Sequence, residues 1–163
     1  MPYIKDIIPG EYKRTMNLLS DIRLRWYDDS SLHIEDKRKL LELFLDSLGV
    51  SRDVAADIFE VLLIARAKGI SLTPAEIREG VIQLRDRRGA KVDRSMSNRN
   101  MQIWLRFFRD LELIERIGSR YHFSGNKKPS AIFLERTKPK VIDKSVDFIH
   151  RLLQEVEKGY SIK

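Results

Sequence analysis

The 163-residue chain contains no cysteine. That absence removes disulfides, thiolate nucleophiles and cysteine metal sites together. Long apolar runs are missing too, and no stretch approaches the ~18 residues that a membrane span needs. The first ten residues, MPYIKDIIPG, lack the apolar core of a secretory signal. The expectation is a cytoplasmic protein with no membrane partner. Histidine is scarce: His33, His122 and His150 lie far apart and show no metal-ligand spacing. Neither a glycine-rich phosphate loop nor a serine-centred elbow occurs. Nuclease chemistry needs clustered acidic ligands, and the nearest candidates are the doublets Asp28-Asp29 and Glu35-Asp36. Adjacent acids at a turn or helix edge read as helix-start residues. The sequence therefore predicts no enzyme, no cofactor and no metal.

Charge, by contrast, is abundant. Charged residues make up 34% of the chain, against about 25% in an average globular protein. With sparse Gln and Asn, this composition is of the thermophile kind. The net charge is +7, and residues 85–128 hold twelve Lys and Arg against five Asp and Glu, so 12 − 5 = +7 resides in that one window. A charge so concentrated attracts a polyanion in a salt-dependent way. The alternative is a solvated, thermostable surface, and composition alone leaves both open. An apolar fraction of 42% is enough for a core.

The organisation is read from apolar spacing. Tyr12, Met16, Leu19, Ile22 and Trp26 recur at helical intervals. A second stripe, Leu40, Leu41, Phe44, Leu45 and Leu48, closes at Gly49. This region, residues 1–50, has eight positive and nine negative residues, so its helices are expected to pack on the remainder or to contact a protein partner. Ser51 suits the cap of a third helix, whose buried stripe is Val54, Ile58, Val61, Leu62 and Ala65 and whose stop is Gly69. In TPAE, residues 73–76, Thr73 fits the cap, Pro74 the first helical position and Glu76 the reciprocal cap. Ile77, Val81 and Leu84 give that helix its core face. RDRRGAKVDR, residues 85–94, then reads as a polar loop with five cations, unsuited to the core.

The next helix, capped by Ser95 or Ser97 and reaching Leu111, has two opposed faces. At about 100° per residue, Met101, Trp104, Leu105, Phe108 and Leu111 share one side. Asn98, Arg99, Gln102, Arg106 and Arg109 share another, with no carboxylate among them. A solvated helix normally alternates its charges, whereas Arg, Asn and Gln are the side chains that read base edges bidentately. Ile103 and Phe107 lie off the apolar stripe and are expected to meet a further element. LELIERIGSRYHFSG follows as a hairpin. Gly118-Ser119 suits a type II′ turn, which sets Ile117 opposite Arg120 and Ile114 opposite Phe123.

Three helices followed by a basic hairpin, and above all the passage WLRFFRDLELIERIGSRYHF, resemble the winged helix-turn-helix superfamily over residues 51–125. The resemblance implies that residues 95–111 are the recognition helix, 113–123 the wing and Thr73–Leu84 the preceding helix of the motif. The linker between those helices, about ten residues, exceeds the 3–4 of the compact motif. The charge profile is similar to that of small archaeal regulators. The implied fold is mainly α with a small β-hairpin wing, a winged helix-turn-helix core over 51–128 flanked by N-terminal helices and a C-terminal coiled-coil-like helix over 129–163. The implied function is sequence-specific binding of double-stranded DNA, as a transcriptional regulator. Arg99, Gln102 and Arg106 would enter the major groove, with Asn98 and Arg109 at its borders. Arg116, Arg120, Lys127 and Lys128 would reach the adjacent minor groove or phosphates. Arg85, Arg87, Arg88, Lys91 and Arg94 would contact phosphates. The other reading is a winged-helix module that docks protein or RNA within a larger complex.

From Pro139 onward, Ile142, Val146, Ile149, Leu153, Val156 and Tyr160 follow heptad spacing. This seam is expected to join two chains as a homodimer, in keeping with the two-fold symmetry of many DNA readers. Its alternative is a helix folded back on its own domain. KPSAIFLERTK, just before it, fits either a third wing strand or a helical turn.

Overall fold

A computed structural model describes residues 19–163. The described residues are mainly helical, with one two-stranded antiparallel hairpin among them. Its helices are α1 (Lys37–Ser47), α2 (Asp53–Ala67), α3 (Pro74–Arg88) and α4 (Asn98–Asp110). Strands β1 (Ile114–Ile117) and β2 (Arg120–Phe123) follow. Then α5 (Pro129–Ile132), a π-helical stretch Phe133–Ile142 and α6 (Asp143–Gly159) run on from one another.

Helix α2 is the centre. Apolar residues on nearly every side of it are buried, the pattern of a helix enclosed by others. Phe59 is the hub, with ring centroids 5.5 Å from Phe44 of α1, 5.0 Å from Phe108 of α4 and 5.5 Å from Phe123 of β2. Leu41 and Leu45 of α1 join this core from one side, and Ile132 and Val141 from the other. The core thus draws on both sides of the boundaries expected at residues 50 and 128. At the α2–α3 crossing, a Cβ on Gly80 would lie 2.8 Å from Val61 Cγ1. Only a glycine lets the two helices approach so closely.

The hairpin has the register set by its turn: Ile117 faces Arg120 and Ile114 faces Phe123. Gly118 supplies φ 60°, and Ser119 is not among the positive-φ residues, as type II′ requires. Leu72 adds an antiparallel bridge to Tyr121, with N···O distances of 3.1 and 2.7 Å.

Several expectations need correction. Of the first stripe, Tyr12 and Met16 lie outside the described residues, and residues 19–28 are not helical. Arg25 N–H instead donates to Ser47 O at 2.9 Å, and Arg25 and Tyr27 both bond Asp46. These bonds lay the segment across the end of α1 and leave Leu19 and Trp26 exposed. Ser51 is not the cap of α2: that position is Arg52, with no side-chain bond, and Asp53 supplies first-turn negative charge. Thr73 does cap α3, accepting from Glu76 N at 3.2 Å, but the Glu76 carboxylate turns to Arg120 rather than back to the cap. Of the two readings of KPSAIFLERTK the helical one holds from Pro129 on, so the C-terminal helical run begins well before Pro139. That proline, which has no N–H to donate, sits inside the π-helical stretch.

Candidate nucleic-acid interface

The largest correction falls on residues 85–94. Helix α3 continues through Arg88 and is capped by Gly89 at φ 71°, so the first part of the expected loop is its last turn. The reason lies across the core. Asp57 of α2 is 0% exposed, and a buried carboxylate needs charged donors. Its Oδ1 accepts from Arg38 Nη1 at 2.8 Å and Arg88 Nη1 at 2.9 Å, and its Oδ2 from Arg85 Nε at 2.9 Å. Burial would raise the Asp57 carboxyl. The bonds from Arg88, Arg85 and Arg38 outweigh it and hold the group below the ordinary carboxylate range. Glu60 and Glu42 balance Arg38 at 2.6 and 2.9 Å.

Arg85 is 4% exposed. It is therefore not a phosphate ligand but an anchor, because a solvated phosphate cannot reach it. Its Nη1 donates to Lys91 O at 3.0 Å and its Nη2 to Ser95 Oγ at 3.4 Å. Arg78 Nε donates to Met96 O at 3.3 Å, and the Met96 side chain is buried in the core. Asp93 caps the 3-10 turn Arg94–Met96 by accepting from Ser95. Ser95 hydroxyl and backbone donors lower the Asp93 carboxyl. The long linker is thus pinned at several points. Ser97 then caps α4, its Oγ accepting from Asn100 N at 3.2 Å.

Helix α4 divides as its sequence predicts. Met101, Leu105, Phe108 and Leu111 are buried and Trp104 is half-buried. Asn98, Arg99, Gln102, Arg106 and Arg109 are all exposed along the opposite face. Among the described residues, Arg99, Gln102 and Arg109 have no side-chain hydrogen bond or ion pair, and Arg106 has only Asp110, at 3.9 Å. Phe107 packs edge-on against Trp104 and Phe108. Ile103 is exposed, and the described part of the N-terminal region, residues 19–28, bonds to the end of α1.

The exit from α4 is clamped. Glu112 adopts φ 65°, its carbonyl accepts from Ser124 Oγ at 2.8 Å, and Leu111 O accepts from Thr137 Oγ1 at 2.7 Å. Across the hairpin, Glu115 Oε1 accepts from Gly125 N at 2.9 Å and lies 2.8 Å from His122 Nε2. The Gly125 donor and His122 hold the Glu115 carboxyl low against the burial that would raise it.

The remaining cations separate into engaged and free. Arg88 is bonded to Asp57. Arg116 donates to Gly118 O at 2.8 Å, Arg120 to Ser71 O at 3.0 Å, and Lys127 pairs with Glu135. Arg87, Lys91, Arg94 and Lys128 are exposed and, among the described residues, have no side-chain partner. Sequence reasoning missed Asp57 and Met96. The signal for Asp57 was an acid among the buried-stripe positions of the run VAADIFEVLL, which also holds Glu60.

Helix α6 buries none of its residues, and the seam from Val146 to Tyr160 is exposed. Phe148 and Leu152, also exposed, widen the apolar face beyond the heptad positions. No described helix is long and apolar enough to cross a membrane. The chain matches no family model, no curated protein and no solved structure.

Proposed function

We propose that the chain is a sequence-specific, double-stranded DNA-binding protein of winged helix-turn-helix type, acting as a dimeric transcriptional regulator. The observation that carries this reading is the divided surface of α4. One face is fixed in the core, and the other presents three arginines, an asparagine and a glutamine. Their long reach and planar donors match the acceptors on base edges in a major groove about 12 Å wide. Arg99, Gln102 and Arg106 read bases, with Asn98 and Arg109 beside them. Arg87, Lys91, Arg94 and Lys128 are the free cations that contact phosphates, a role Arg85 gives up to the core. Arg116 and Arg120, held to backbone carbonyls, stiffen the wing and its seat on the 71–76 segment.

Binding by this scheme needs little rearrangement, because the linker before α4 is already tied to Arg78 and Arg85 of α3. The exposed face of α6 is the dimerisation surface, and two linked domains then engage two half-sites.

A mobility shift with random duplex DNA, repeated across a salt titration, tests the proposal. The expected result is binding with a steep salt dependence and, after selection from a random-sequence pool, a preferred site. No binding at low salt would overturn it and favour a protein- or RNA-docking module.

A further inference from the structure

Helix α4 carries one large apolar side chain that the core does not take. Ile103 is 54% exposed, whereas Met101, Leu105 and Phe108 of the same helix are buried. Its neighbours on the helix surface include Arg99, four residues before it, and Arg106, three after it. Arg99 has no partner among the described residues, and Arg106 has only the long contact with Asp110 at 3.9 Å. A β-branched side chain in a helix holds essentially one rotamer. Ile103 is therefore an apolar knob of one preferred rotamer, with an exposed cation before it and another after it along the helix.

An exposed isoleucine by itself is ordinary on a protein surface. Its position between exposed guanidinium groups is what narrows the partner. The complementary surface must set an apolar group beside acceptors or anionic oxygens within about 6 Å, the spacing of neighbouring helix positions. In B-form DNA the major groove offers that combination at thymine, whose C5-methyl stands beside acceptor atoms of its own and adjacent base pairs. RNA does not: uracil has no such methyl, and the A-form major groove is too deep and narrow for side chains to read.

Resting on the DNA-binding reading above, we infer that Ile103 is a specificity-determining residue that packs on a thymine methyl, with Arg99 and Arg106 on the flanking guanines or phosphates. The preferred ligand is B-form DNA with thymine at one fixed position under the middle of α4.

A duplex selected by the wild-type protein from a random-sequence pool provides the probe. Each thymine is replaced singly by deoxyuridine, which removes only the methyl. At one position per half-site, wild type should lose about fourfold in affinity, the worth of one buried methyl at ~0.8 kcal/mol. Ile103→Ala, a change at an exposed position, should keep the wild-type circular dichroism and become indifferent to uracil at that same position. Wild-type tolerance of uracil everywhere would overturn the inference while leaving DNA binding standing. So would a uracil penalty that persists undiminished in Ile103→Ala. Failure to select any duplex would overturn the inference together with the DNA-binding reading.

Discussion

Asp57→Asn is the most informative single change in the core. The side chain keeps its size, but one acceptor oxygen becomes a donor facing guanidinium N–H groups. The carboxylate now accepts from Arg38 at 2.8 Å, from Arg85 at 2.9 Å and from Arg88 at 2.9 and 3.4 Å. Arg85, 4% exposed, cannot swing out to water for a replacement partner. Removing one partner of a buried charge pair costs about 3–5 kcal/mol, a large part of a typical stability of about 5–15 kcal/mol. Urea unfolding followed by circular dichroism at pH 7 measures the loss. The pH dependence supplies a second check. Asp57 is held below its ordinary value in the folded protein, so its contribution is fully present above the unfolded-state pKa of about 3.9 and lost as pH falls through the folded value. The gap between wild type and Asp57→Asn should therefore narrow on acidification below about pH 4. A variant within about 1 kcal/mol of wild type at pH 7 would refute the assignment of the cluster as a core anchor, since a surface ion pair is worth no more than that.

Gly80→Ala should lower stability by about 1–2 kcal/mol despite the better helix propensity of alanine, because the new Cβ overpacks Val61; thermal melts of Gly80→Ala alone and with Val61→Ala, which should recover most of the loss, check the contact. Arg99→Ala and Arg106→Ala should each weaken specific DNA binding by roughly 1–3 kcal/mol and random-duplex binding by less; equal losses on both would limit these residues to phosphate contacts. Arg87→Ala and Arg94→Ala should each flatten the slope of log K against log salt by about 0.9 for every duplex, whereas Arg85→Ala should appear chiefly as lost stability in urea unfolding. Ile149→Glu with Leu153→Glu should leave the fold intact, since neither side chain is buried within the chain, and should convert a dimer to monomer by sedimentation; a wild-type protein already monomeric at micromolar concentration would defeat the dimer proposal.

The parts of the fold legible in sequence are those governed by local periodicity. The hairpin register follows from a period of two and a single glycine turn, and it has no freedom once Gly118 is placed. The two faces of α4 follow from a period of 3.6 within one helix. Helix α2 was recognised, but its all-round burial was not, because the predicted stripe stopped at the positions one face needs. The partners of Asp57 were illegible for a different reason. Arg38, Arg85 and Arg88 lie 19, 28 and 31 residues away. No periodicity couples an acid to arginines at such separations. Residues 19–28 show the same limit from the other side. Their apolar spacing suits a helix, but the bonds to Ser47 and Asp46 belong to tertiary structure, and they prevail over a weak local preference.

Charge counting along the sequence and charge in space also part company. The window 85–128 carries +7 as written, but its members do not contribute alike to the surface. Arg85 and Arg88 are spent on Asp57, Arg120 on Glu76 and Lys127 on Glu135, all acids outside the window. In the other direction, Glu112 and Glu115 pair with Lys140 and Arg136, cations outside it. Four cations and two acids are thus compensated across its borders. Removing them takes away a net +2 and leaves eight cations against three acids, a surplus of +5. Most of that surplus lies between Arg87 and Arg109, on the linker and the outer face of α4. The field is therefore smaller than the sequence implies and more sharply placed. A positive potential concentrated on one helix face and its approach orients a polyanion as well as attracting it, and the proposed base reading by α4 depends on that orientation.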